Sequence, residues 1–405
     1  MYRDLKSRLQ LYKMGAGCGS QRMTKTGSDI QDLIEGHICS NDNGSCFIIE
    51  NRYPFSYLHG GCRLGDALSI NPETLGRVCS DFREGTKIKD FLFLDTETTG
   101  LSGGTGTVAF LVGTGFFEDG AFVIKQYFMR DYDEEPAMLT ELNALLSRYS
   151  GLITFNGRAF DWNLLQTRFI FNRIKPVLLD PSHIDLLYPS RRIWRLKLES
   201  CGLQSIEENI LNEIRIDDVP GAEIPSIYFK YLESRNAGII KKVIRHNEID
   251  ILSMVSLLVR ISKMLDNPVE ESDGGQELLG LGRIFESSRE YDVVIDCFEN
   301  CVKSKNSIVR ETALRKLSGI YKKNGNYSKA VECWKRMMTD SKIPGLFPMI
   351  ELAKYYEHKE KNIEEALVIV EKAMLVCRQT NFINNAYYDD LKKRKDRLIR
   401  KSRRG

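Results

Sequence analysis

Phe91-Leu92-Phe93-Leu94-Asp95-Thr96-Glu97-Thr98-Thr99-Gly100 is the segment that most restricts what this chain can fold into. Four consecutive large apolar residues read as a strand buried on both faces, and such a strand does not run into two acids unless their charge is compensated. Side chains alternate across a strand, so Asp95 and Glu97 point to one side where the strand leaves the core. Carboxylates that close repel, and a divalent cation is the usual remedy. Taken alone, the decapeptide also fits two solvated acids at a strand end, followed by a Thr-Thr-Gly turn.

Around this segment, residues 86–266 alternate between strand and helix patterns. A Gly-rich turn (Gly100, Gly103, Gly104, Gly106) leads into residues 107–117, the turn Glu118-Asp119-Gly120 and residues 121–130, which is a hairpin signature. Helical spacing over 136–149, a short strand at 151–155, a helix at 161–171, a strand at 183–187 and long helical segments up to 264 follow. That order predicts a ribonuclease-H-like α/β domain, a mixed sheet flanked by helices.

Further acids fall at element ends. Thr154-Phe155-Asn156-Gly157-Arg158-Ala159-Phe160-Asp161 ends a strand, turns on Asn-Gly and delivers Asp161 to a helix N-terminus, where an N-capping role is the ordinary explanation. A helix over 241–261 sets His246 and Asp250 four residues apart on one face, which alone also suits a surface contact. Asp185 either supports such a site or merely ends its strand. Four acids and a histidine arranged as strand Asp-x-Glu, loop-to-helix Asp and late-helix His-x-x-x-Asp are a more specific pattern than any one of them.

These motifs resemble the three Exo motifs of the DEDD exonuclease superfamily and, within ribonuclease-H-like proteins, the YprB-like branch. The resemblance covers most of residues 86–262 and rests on Asp95-Thr96-Glu97-Thr98-Thr99-Gly100-Leu101, Gly103-Gly104-Thr105-Gly106, Thr154-Phe155-Asn156-Gly157, Phe160-Asp161-Trp162, Asp185-Leu186-Leu187, Asp218-Val219-Pro220-Gly221 and His246-Asn247. It implies a metal-dependent nuclease, expected to be a 3′-to-5′ exonuclease, using two Mg2+ or Mn2+ ions about 4 Å apart. Asp95 would then bridge both ions, Glu97 and Asp250 would hold the ion that activates water, and Asp161 would support the leaving-group ion. His246 would orient or deprotonate the water, although it stands at the four-residue spacing that superfamily members usually fill with tyrosine. Carboxylates suit the task because they supply hard oxygens together with negative charge. A nucleic-acid-binding scaffold with weak or absent catalysis is the alternative.

For nucleic-acid contacts, Arg191, Arg192 and Arg195 surround Trp194 and could offer phosphate contacts with a stacking ring, or a solvated basic loop with its tryptophan in the core. Thr96 and Asn156, inside the motifs, join them as expected contacts.

Outside this domain the chain is less uniform. Residues 1–85 read as an irregular, extended arm packed on the nuclease domain, and the spacings of His37, Cys39, Cys46, Cys62 and Cys79 match no common zinc site. A linker is expected over 267–275 and helical repeats over 276–390. There Leu281-Gly282-Arg283-Ile284-Phe285, Leu317-Ser318-Gly319-Ile320-Tyr321 and Leu352-Ala353-Lys354-Tyr355-Tyr356 recur at steps of 36 and 35, resembling tetratricopeptide repeats and implying a protein partner. Net charge is +3, but residues 391–405 alone carry +8, a basic tail expected to be solvated and to add salt-sensitive phosphate affinity. Ten cysteines without a CxxC pair, no apolar leader and no run long enough to span a bilayer point to a soluble cytoplasmic protein with no membrane contact.

Overall fold

The computed structural model describes residues 30–79, 81–83, 85–100, 106–340, 345–379 and 386–403. Residues 101–105 of the expected Gly-rich turn, residues 1–29 of the expected arm and Cys18 lie outside these residues. The chain enters with strands β1 (His37–Asn41) and β2 (Gly44–Pro54) and helix α1 (Pro72–Val78). Next come β3 (Phe91–Thr98), β4 (Ala109–Glu118), β5 (Ala121–Phe128), α2 (Glu135–Leu146), β6 (Gly151–Thr154), α3 (Asp161–Phe171), β7 (Ser182–Asp185) and α4 (Leu187–Trp194). Helices α5 (Ile224–Ser234) and α6 (Ala237–Asp266) complete the α/β domain.

Its strands form one seven-stranded mixed sheet in the order β1-β2-β5-β4-β3-β6-β7. β3, β4 and β5 run antiparallel as a meander, while β6 and β7 run parallel to β3. The apolar run of β3 divides by parity. Phe91 and Phe93 enter the core on one sheet face and Leu92 and Leu94 the core on the other, which is why the strand reads as continuously apolar.

Residues 1–85 were expected as an irregular, extended arm, and in its described residues, from Ile30 on, the structure differs. β2 pairs with β5 from Phe47 opposite Phe128 to Pro54 opposite Ala121, so this segment widens the sheet. The buried run of β2 is Cys46-Phe47-Ile48-Ile49, and its remaining residues alternate between exposed and half-buried, with Tyr53 packed on the core.

Helix α6 fixes the geometry of the domain. Two glycines of β4 let it lie directly on the sheet: a Cβ at Gly113 would sit 2.1 Å from Asn247 Oδ1, and one at Gly115 2.6 Å from Ile251 Cγ2. Gly113 is also the register partner of Asp95. The helix therefore crosses the sheet beside the first acid of β3.

An all-helical region follows, consistent with helical repeats. It comprises α7 (Gly275–Ser288), α8 (Tyr291–Cys301), α9 (Ser307–Lys323), α10 (Tyr327–Thr339), α11 (Leu346–Tyr355), α12 (Ile363–Gln379) and α13 (Ala386–Ser402). Its core is continuous with that of the α/β domain on the α6 side. The expected linker is partly helical, with a turn at Pro268–Glu271 whose Glu271 accepts from Arg260 at 2.6 Å. The expected solvated tail is instead the second half of α13, with Leu391 and Leu398 buried. Its cations converge on Glu357, whose side chain has no exposed surface and accepts from Arg394 (2.6 Å), Arg397 (2.8 Å) and Lys401 (2.9 Å). Burial pushes the Glu357 carboxyl up, but the hydrogen bonds of Arg397 and Lys401 outweigh it and hold it at about 2.

Two outcomes follow. Gly113→Val should lower stability by about 1–3 kcal/mol through overpacking against α6, read as a reduced midpoint in urea, whereas Gly319→Ala on α9, where an added Cβ meets no atom within 4 Å, should not lower it. Because the Glu357 carboxyl is depressed on folding, the stability it confers is complete above the ordinary glutamate value near 4.5 and is lost as pH falls toward 2. Hydrogen exchange in α13 should accelerate over that window, and Glu357→Gln should remove the pH dependence.

Candidate metal and catalytic site

β3 carries Asp95, Thr96 and Glu97 out of the core, with a register shift against β4 after Glu97. Asp95 is fixed by α6, since Asn247 Nδ2 donates to its Oδ2 at 2.8 Å while Gln126 Nε2 donates to Asn247 Oδ1 at 2.8 Å. Asp161 opens α3, and the Thr96 hydroxyl donates to its Oδ1. The loop before it is held from below: Asp185, at the end of β7 and almost wholly buried, accepts from the backbone N–H groups of Asn156 (2.7 Å), Arg158 (3.1 Å) and Leu187 (3.1 Å). Asn156 has φ 66°, and a Cβ at Gly157 would lie 2.8 Å from Asp161 Oδ2, so the tight approach of this loop to the acid needs the Asn-Gly pair. Asp185 thus both ends its strand and supports the site.

His246 and Asp250 come one helical turn apart on α6. The imidazole Nδ1 lies 2.8 and 2.9 Å from the two oxygens of Asp218, where it donates. Nε2 then faces Asp250 Oδ2 at 3.6 Å and Glu97 Oε1 at 3.9 Å. One ligand atom from each of Glu97, His246 and Asp250 can be chosen so that all lie within 4.8 Å of one another.

The acids act on one another. Burial pushes the carboxyls of Asp95 and Glu97 well up, and the charges of Asp250 and Asp161 push both further, with Asp95 adding to the effect on Glu97. Asp161 is raised to about 6, chiefly by burial. Such a group of carboxylates keeps its charge only beside a cation. Oxygen donors with a single imidazole suit a hard divalent ion, so the residues present fit the divalent metals that this fold usually binds.

Part of the compensation is internal, from a residue that the sequence did not single out. Arg215 is 4% exposed and donates to both oxygens of buried Glu207 at 2.6 Å, to Asp218 Oδ2 at 3.2 Å and to Asp250 Oδ1. It occupies one oxygen of Asp250 and leaves the other toward His246 and Glu97. In Ile214-Arg215-Ile216-Asp217-Asp218 only the contact with Asp218 is local, three residues on, and the arginine's partners Glu207 and Asp250 lie 8 and 35 residues away. Asp218 opens the Asp218-Val219-Pro220-Gly221 segment, but its role as the partner of His246 appears only in three dimensions.

Trp194 corrects an expectation. It is fully buried, and its Nε1 donates to Glu277 of α7 at 3.0 Å, so the ring is unavailable for stacking on a base. The physical reason is that α4 is a docking helix: a Cβ at Gly280 of α7 would lie 2.3 Å from the Arg192 carbonyl oxygen. Arg191, Arg192 and Arg195 stand exposed on and just after α4. Thr96 spends its hydroxyl on Asp161, and Asn156 spends its backbone N–H on Asp185.

Among the described residues no helix is long and apolar enough to cross a membrane. A family model of the RNase H superfamily matches residues 92–262, the span from β3 to α6 that builds this site. The uncharacterized protein YprB of Bacillus subtilis (strain 168) is 31% identical over 335 residues, covering 81% of this chain and 80% of that protein. With the seven-stranded mixed sheet and the helical region behind it, these similarities make the chain a member of the RNase H superfamily, in the family of YprB.

Proposed function

We propose that this protein is a metal-dependent nuclease that hydrolyses phosphodiester bonds of nucleic acid, acting as a 3′-to-5′ exonuclease. The observation that carries this reading is the convergence of Glu97, His246 and Asp250 beside Asp95 and Asp161, with buried carboxyls that raise one another. Two Mg2+ or Mn2+ ions, when bound, would supply Lewis acidity to the phosphodiester and to the attacking water. Asp95 would be shared between them, Glu97 and Asp250 would hold one, and Asp161 the other.

The remaining residues position these groups. Asn247 orients Asp95, Thr96 orients Asp161, and Arg215 holds Asp250 by one oxygen so that the other faces the cluster. With Nδ1 donating to Asp218, the Nε2 lone pair of His246 is free to orient a water and take its proton. The helical region, in this reading, recruits a protein partner.

The test is hydrolysis of 3′-labelled and 5′-labelled single-stranded and duplex DNA and RNA with Mg2+, Mn2+ or chelator. Asp95→Ala combined with Glu97→Ala should abolish metal-dependent products while the protein stays folded; undiminished cleavage by that variant would refute the assignment. Absence of cleavage by folded wild-type protein would move the function to a nucleic-acid-binding scaffold. Asp218→Asn should lower the rate by about 10–100-fold, the usual cost of losing the partner of a working histidine. An unchanged rate and pH profile in that variant would reassign the Asp218–His246 pair to packing.

A further inference from the structure

Behind the loop that delivers Asp161 lies a cleft of about 710 Å³ between the α/β domain and the first helix of the helical region. Arg77 of α1, Arg158 of the loop, Tyr188 and Arg192 of α4, and Ser287 and Ser288 of α7 line it. None of these was brought to the acid cluster. Its walls are held rigidly, since α4 and α7 are locked together by the Gly280 approach and the Trp194–Glu277 hydrogen bond.

The charges facing the cleft differ in availability. Arg77 is committed to Glu290 through two bonds of 2.9 Å, and Arg158 pairs with Asp81 at a half-exposed position. Asp185, on the floor, is already satisfied by three backbone N–H groups. Arg192 is exposed and its side chain has no partner among the described residues. Tyr188 beside it is 52% exposed, and Phe160, next to Asp161 on the loop, is also 52% exposed.

Arg158, on the loop that also carries Phe160 and Asp161, lines the cleft together with Tyr188 and Arg192. Asp161 belongs to the metal cluster, Phe160 and Arg158 lie on the loop behind it, and Tyr188 and Arg192 lie in the cleft. Guanidinium groups match phosphates in geometry and charge, and exposed rings stack on bases, which duplex pairing would hide. Resting on the nuclease reading above, we infer that this cleft holds the single-stranded nucleic acid that feeds the site, with Arg158 and Arg192 on phosphates and Phe160 and Tyr188 against unpaired bases. The phosphodiester strand is the shared chemistry of DNA and RNA, and the choice between them is an arm of the test.

The experiment measures fluorescence anisotropy of labelled 12-nucleotide single-stranded DNA, single-stranded RNA and duplex DNA on the full chain, with chelator present so that nothing is cleaved. Arg192→Glu with Tyr188→Ala should weaken single-strand binding by about tenfold or more and flatten its salt dependence. Tyr188→Phe keeps the ring and should keep the affinity, and Lys335→Glu, an equal charge change on α10, should leave binding within about twofold, a change small beside a stacked base. Hydrolysis of bis(4-nitrophenyl) phosphate by wild-type protein with Mn2+ reports the metal cluster separately. Wild-type hydrolysis together with unaltered strand binding by the cleft variant would overturn the cleft and leave the nuclease. Strand binding lost in the cleft variant without any wild-type hydrolysis would keep the cleft and remove the nuclease. Equal weakening by Lys335→Glu, tighter binding of duplex than of single strands, or no wild-type binding at all would each overturn the inference.

Discussion

Everything in the α/β domain depends on how closely α6 lies on β4. A helix normally stands off a sheet by the length of the side chains between them, and here two glycines remove that spacer. Because Gly113 faces Asp95 in the ladder, the same contact that packs the helix also brings Asn247 onto the Asp95 carboxylate. Residues 152 positions apart in the chain thereby share one hydrogen bond, and His246 and Asp250 follow because they lie on the same helix. The site is a consequence of packing before it is a consequence of its own charges.

The charges then have to be balanced. Asp95, Glu97, Asp161, Asp250, Asp218 and Glu207 form a dense group of acids, and one buried guanidinium touches three of them. Arg215 offsets the charge of buried Glu207 and fixes the orientation of Asp218 and Asp250. The charge that remains uncompensated is concentrated where Asp95, Glu97 and Asp161 meet, which is where the burial of carboxyls raises them. A divalent cation there would relieve the same repulsion that metal-free folding has to bear.

The helical region is tied to the domain and closed at its end by the same device, a buried glutamate that collects donors. Glu277 accepts from Trp194 and Lys197 at the junction, and Glu357 accepts from the basic half of α13 at the far end. In both cases a buried carboxylate is tolerated because several donors surround it. Side chains that the sequence leaves open as nucleic-acid contacts, Trp194 and the cations of the basic tail, are thus partly consumed in holding the protein together.

What could be read from the sequence was whatever depends on neighbours in the chain. The parity of Phe91–Leu94 determined a strand buried on both faces, alternation put Asp95 and Glu97 on one side, Asn-Gly before Asp161 determined a tight turn into a helix, and the four-residue spacing put His246 and Asp250 on one helical face. The order of these elements, with the hairpin between them, determined the ribonuclease-H-like architecture, and the recurrence at 36 and 35 residues pointed to the helical region after it. What only the tertiary structure decided depends on partners distant in sequence. β2 became a strand of the main sheet because β5 offered an edge, Trp194 went into the core because α7 docks on α4, the basic tail became a docked helix because Glu357 lies beneath it, and Arg215 and Asp218 joined the site because a loop folds back over α6. Local pattern is set by the periodicity of the backbone, whereas the partner of a charge is set by which surfaces meet, and that is decided by burial across the whole chain.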